Sequence, residues 1–98
     1  MKKLLDEIIR FRDERGWRKH DTPEALAKSI IIEAAELLEN YQWSDTAVSM
    51  ENVREELADV LMYSLAMCVD LGLDPEVIIR DKLKKNQIKY PITETKTY

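Results

Sequence analysis

Apolar residues recur at helical spacing in four stretches, each bounded by residues that start or stop helices. Leu4, Leu5, Ile8, Ile9 and Phe11 mark one face of a first helix over 2–15, and Gly16 is a suitable C-terminal stop. A short connection, WRKHDT, follows. Thr22 or Asp21 can then cap a second helix that carries Pro23 at its first position and runs to about Asn40. QWSDTAVS reads as a loop. A third helix spans about 50–71 and stops at Gly72, and Asp74-Pro75 opens a fourth that runs from about 75 to 89 and is ended by Pro91. Residues 91–98 form a polar tail, expected to be mobile or draped over a neighbour. The expected fold is all-α, a four-helix bundle in a single domain.

The third helix predicts an assembly. Between Val60 and Val69 it carries no charged residue, and a helix apolar all round must be covered on all sides. Three other short helices can hardly do so. A second subunit is expected to cover part of it, as a homodimer or, by pairing of dimers, a homotetramer.

The second and third helices break their own pattern. At about 100° per residue, Glu33 falls among Leu26, Ile30, Leu37 and Asn40, inside the apolar stripe, and Glu36 lies at its edge. Glu56 and Asp59 share one narrow arc of the third helix with Tyr63, flanked by Val60 and Met67. An acidic pair spaced i,i+3 ordinarily lies on a solvated face. These two pairs border the core. Four carboxylates in a partly buried space are costly unless protonated or neutralised by a cation. An all-oxygen donor set suits a hard cation such as Mg²⁺ or Mn²⁺, and magnesium typically engages substrate phosphates as well.

Composition narrows the field. The chain has 98 residues, which favours one domain, and a chain this short buries only about 60–70% of its unfolded surface, so association would help. It is 45% hydrophobic and 35% charged with only 2 glycines, an ordinary globular helical balance. The net charge of -4 argues against a nucleic-acid polymer as partner while leaving room for a small anion held through a metal. Cys68 stands alone and is expected to be a buried free thiol in a reducing compartment. Acids at Asp6 and Glu7 interrupt the N-terminal segment, which therefore lacks the apolar centre of a signal peptide, and no apolar run reaches the roughly 20 residues a membrane span needs. A cytoplasmic protein is expected. A di-iron bundle would need Glu-x-x-His motifs that the one histidine, His20, does not complete. Zinc is poorly supported by one cysteine and one histidine well separated in sequence, and a P-loop is absent.

The two acidic motifs in order, EAAE at 33–36 and ELAD at 56–59, resemble the ExxE…ExxD signature of the MazG-like all-α nucleoside triphosphate pyrophosphohydrolases. HDTPEALAKSIIIEAAELLENYQW resembles the entry to the metal-binding helix in the dCTP pyrophosphatase branch. EELADVLMYSLAMCVDLG is similar to that branch's second metal helix, and KLKKNQIKYP to its closing Lys-Asn-Tyr-Pro element. One such motif alone would mean little; the ordered set, with Trp43 beside it, is specific. The resemblance implies hydrolysis of a (deoxy)nucleoside triphosphate, dCTP-like in this branch, to the monophosphate and pyrophosphate, as nucleotide-pool house-cleaning. It implies Glu33, Glu36, Glu56 and Asp59 as Mg²⁺ ligands. One of these carboxylates is expected to accept the proton of the attacking water, and Glu36, at the edge of its stripe, is the candidate for it. Lys82, Asn86 and Tyr90 share a drifting face of the fourth helix and are either phosphate and sugar contacts or a solvated face. Tyr63 either bonds a phosphate or sits in the core. Trp43 either stacks on the base or anchors its loop. His20 lies near the base pocket by resemblance, and Trp17 either packs behind the first helix or reaches that pocket. The competing expectation is a non-catalytic helical oligomerisation module of the same fold, against which the complete set of four acids speaks.

Overall fold

The computed structural model describes residues 1–92. Four α-helices carry the chain: α1 (Lys2–Glu14), α2 (Pro23–Glu39), α3 (Met50–Asp70) and α4 (Pro75–Lys89), with a 3₁₀ turn at Trp17–Lys19 between the first two. No strand occurs among the described residues. Most of the polar tail expected at 91–98 lies outside the described residues.

The helix starts follow from their caps. Thr22 Oγ1 accepts the Ala25 N–H at 3.1 Å, Ser49 Oγ the Asn52 N–H at 3.1 Å, and Asp74 Oδ1 the N–H groups of Glu76 and Val77 at 2.9 and 3.2 Å. Pro23 and Pro75 occupy first-turn positions where no N–H is missed. After α3 the chain turns through Gly72 at φ 69°, a left-handed conformation that a Cβ would strain, and the Leu73 N–H reaches back to the Cys68 carbonyl at 2.8 Å.

α2 and α3 form an antiparallel hairpin and supply most of the interior. Leu26, Val53 and Ala66 are its buried apolar residues, and Ile30, Leu37, Val60, Tyr63 and Met67 are half-buried around them. The connection between the two helices is organised by Asn40, which is buried. Its Nδ2 donates to Asn52 Oδ1 at 2.8 Å, its Oδ1 accepts the Ser49 N–H at 3.2 Å, and its carbonyl accepts the Val48 N–H at 3.0 Å. One side chain thereby satisfies both ends of the loop.

α1 packs on the C-terminal half of α3. Its apolar face continues into Arg12, which is only 5% exposed and donates through both terminal nitrogens to the two carboxylate oxygens of Asp70, at 3.1 and 2.8 Å. α1 and α2 both lean on α3 but hardly on each other, so a cleft opens between them. α4 makes no more than marginal contact with any other helix. Its Val77, Ile79, Leu83 and Ile88 are exposed, and the molecule measures 54 × 35 × 25 Å. The radius of gyration, 17.0 Å, exceeds the roughly 13 Å of a compact domain this long. Among the described residues no helix is long and apolar enough to cross a membrane.

Candidate active site

The antiparallel register of α2 and α3 decides where the acids meet. With Asn40 opposite Asn52 and Leu26 near Ala66, Glu33 comes level with Glu56 and Asp59. One carboxylate oxygen from each of these three lies within 4.8 Å of the others, and all three side chains are half-buried. Glu36 sits one turn along α2, also half-buried.

The cluster is electrostatically uncompensated. Among the described residues no lysine or arginine pairs with any of the four acids; the ion pairs lie elsewhere. Glu56 Oε2 is closed off from solvent and no donor reaches it. The Glu56 carboxyl is pushed above the usual carboxylate range, first by the adjoining Glu33 carboxyl and then by burial. Glu36 is raised as well, first by the adjoining Glu56, while Glu33 pulls it the other way. Tyr63 is raised by burial and then by the negative charge of Glu33 and Asp59. On balance the crowding of carboxylates leaves Glu36 and Glu56 harder to ionise. Protons or a cation would relieve this, and an acceptor-only, all-oxygen set with an orphaned oxygen at its centre fits a divalent cation.

Asp59 also belongs to the cleft between α1 and α2, a space of about 490 Å³. Phe11 and Trp17 form an aromatic wall there, edge to face with centroids 5.5 Å apart and planes at 76°, and the Arg15 guanidinium lies 3.7 Å from the Phe11 ring centre on a further side. Leu26 and Ala66 lie at its base, and Tyr63 and Asp59 lead out of it to the acidic cluster. The size is that of a small-molecule site.

The residues expected from sequence thus divide. Glu33, Glu56 and Asp59 converge, Glu36 adjoins them, and Tyr63 lines the cleft with Asp59. Trp17 packs against Phe11 and lines the cleft too. His20 is exposed and is not among the residues lining the cleft. Trp43 stands 87% exposed on the loop after α2. Lys82, Asn86 and Tyr90 ride on the projecting α4, away from the α2–α3 packing.

A model of the MazG-like family matches residues 28–98, which include all four acids. The chain belongs to the MazG-like family. Among relatives of this MazG-like chain, dCTP pyrophosphatase 1 of Mus musculus is 31% identical over 90% of the chain, and that of Homo sapiens 28% identical over 89%. The chain spans 59% of the length of each. The fold matches the crystal structure of a pyrophosphatase from Archaeoglobus fulgidus with a TM-score of 0.87 and 43% sequence identity, covering 94% of this chain and 93% of the other. The cleft wall built by Phe11, Arg12, Trp17 and Asp21 precedes the segment matched by the MazG-like family model. Arg12 and Asp21 were missing from the expected site. A charged residue continuing the Leu5, Ile8, Ile9 stripe was the available signal for Arg12. For Asp21 there was only its place one turn after Trp17.

Proposed function

We propose that this chain is a divalent-cation-dependent nucleotide pyrophosphohydrolase that splits a nucleoside triphosphate into the monophosphate and pyrophosphate. The observation that carries this reading is that Asp59 is shared: it belongs to the carboxylate cluster and lines the aromatic cleft. Phosphates gathered at the acids and a base held by the aromatics would then lie on one ligand. The named activities of the mammalian and archaeal relatives support the same reading.

In this reading Glu33, Glu36, Glu56 and Asp59 hold the cation, for which Mg²⁺ is the leading choice and Mn²⁺ an acceptable one. When bound, it would supply charge neutralisation for the triphosphate and orientation for the attacking water. Glu36, at the rim of the cluster with its carboxyl held above the usual range, takes the water's proton. Phe11 and Trp17 cover a face of the base, and Tyr63 donates its hydroxyl hydrogen to a phosphate or sugar oxygen. Lys82, Asn86 and Tyr90 contact the phosphates and sugar once chains associate, and Trp43 and His20 border the ligand in that assembly. The working form is a homodimer or homotetramer in the cytoplasm, with one catalytic domain per chain and a dCTP-like deoxynucleotide as the first substrate to try.

The test is a panel of canonical and modified (deoxy)nucleoside triphosphates with magnesium, reading monophosphate and pyrophosphate separately. Both products should appear from at least one member, and Asp59→Asn should lower kcat by about 10³-fold or more with helical content intact. Absence of products from every member by folded, magnesium-bound protein would overturn the reading and leave a helical assembly module. Phosphate in place of pyrophosphate would give a different bond cleavage.

A further inference from the structure

The cleft between α1 and α2 is mostly apolar, yet two opposite charges, Arg12 and Asp21, lie side by side in its lining. Their surroundings differ. Arg12 is buried and committed: both terminal nitrogens are engaged by Asp70. Asp21 is not. Its Oδ2 stands 3.9 Å from the Arg12 guanidinium, beyond hydrogen-bond length, and among the described residues no donor bonds its carboxylate. The side chain is 33% exposed and lines the cleft.

The backbone places Asp21 firmly. The N–H groups of His20 and Asp21 both donate to the Trp17 carbonyl, at 3.0 and 2.9 Å. Thr22 then caps α2. The turn carries Trp17 and Asp21 to the cleft and leaves His20 in solvent. An aromatic wall and a carboxylate that accepts no hydrogen bond among the described residues therefore reach the cavity from one short, hydrogen-bonded segment. This combination has a specific use. A carboxylate only accepts hydrogen bonds. Beside an aromatic surface it matches an exocyclic amino group on the edge of a stacked base, as carboxylates accept from the amino group of cytosine elsewhere. A ring carbonyl at the same position would set one acceptor against another and leave both unsatisfied.

We propose that Asp21 is the base-reading residue of this site, selecting nucleotides whose base carries an exocyclic amino group over those with a carbonyl at the same ring position, and that Arg12, clamped by Asp70, positions it. This rests on the nucleotide reading above and goes beyond it by assigning the choice of base to a residue outside the family-matched segment. Arg12 acts through Asp21: its two nitrogens on Asp70 hold the guanidinium still, so the attraction at 3.9 Å orients one carboxylate oxygen and leaves the other free to accept.

The experiment compares full-length wild type, Asp21→Asn and Arg12→Lys, with magnesium present, on two pairs that exchange amino for oxo, the adjoining ring nitrogen gaining a hydrogen: dCTP with dUTP, and dATP with dITP. Two quantities are read, the kcat/KM ratio within each pair and, by calorimetry, the Kd ratio for the corresponding monophosphates. Wild type should favour the amino member in at least one pair. Asp21→Asn, which can donate to a carbonyl, should lower that preference by about 10-fold or more, mainly through KM. Arg12→Lys keeps a positive charge without the two-pronged grip and should lower it less, a change that a purely structural arginine would not produce. An unaltered ratio in Asp21→Asn, equal handling of amino and oxo members by wild type, or no nucleotide binding at all overturns the proposal. If monophosphates bind with an Asp21-dependent amino preference but no triphosphate is cleaved, the hydrolysis reading fails and the base-reading role stands.

Discussion

Among the described residues no cation answers the charge of Glu56, and the consequence can be read in solution. Its carboxyl and that of Glu36 hold protons to higher pH in the native state than their ordinary value of 4.5. Just above that value the unfolded chain therefore binds fewer protons than the native one, and the stability contributed by these two groups falls as pH rises. A divalent cation reverses the penalty by competing with the protons, so it should stabilise more at pH 7.5 than at pH 5. At a hundredfold excess over its Kd, magnesium should raise Tm by roughly 10 °C at the higher pH. Glu56→Gln should remove most of that rise. Differential scanning calorimetry at the two pH values checks it, and a magnesium effect of equal size at both would break the link between the cluster and the ion.

At the scale of elements, a buried ion pair ties α1 to α3 beside their apolar contacts. Arg12 draws the Asp70 carboxyl below the usual carboxylate range, and its own affinity for the proton is raised in return by the same hydrogen bonds. Asp70→Asn would leave a buried guanidinium facing a neutral amide and should cost about 3 kcal/mol in urea unfolding at pH 7. The wild-type advantage is complete above 3.8, the ordinary value of the aspartate, and is lost as pH falls through the lower native value, so the two proteins should converge in acid. A difference below about 1 kcal/mol at neutral pH would mean that α1 is held by its apolar contacts alone. These elements were legible to different degrees. Thr22-Pro23, Asp74-Pro75, Gly16 and Gly72 are local signals, and the four helices begin and end within a residue or so of where those signals put them. The inward placement of Glu33, Glu56 and Asp59 was legible because helical periodicity alone aims them at the partner helix. The Arg12–Asp70 pair spans 58 positions and depends on how α1 crosses α3, which periodicity does not encode. The 3₁₀ turn at Trp17–Lys19 sits in what reads as a polar connection, which hid the fact that Asp21 rather than His20 lines the cleft. The separation of α4 was hidden for a related reason: its helix signals are local and carry no information on what the helix packs against.

For the whole molecule, the isolated chain exposes 8213 Å², against about 5,800 Å² expected of a compact 11.5 kDa monomer. The excess is of the size that a stable interface buries, and apolar side chains account for part of it: Leu61 on α3, Ile31 and Leu38 on α2, and Ile79 and Leu83 on α4. Multi-angle light scattering should therefore give twice or four times the chain mass, and Tm should climb with protein concentration because folding and association are coupled. A monodisperse monomer with a concentration-independent Tm would refute this. The two tryptophans have a further consequence. Trp43 is almost bare to water, while Trp17 lies against Phe11 at the cleft. Their indoles occupy different dielectric surroundings, so the chain carries its own spectroscopic probe: replacing Trp43 leaves a single emitter at the cleft wall, whose colour and brightness report arrivals there without any label.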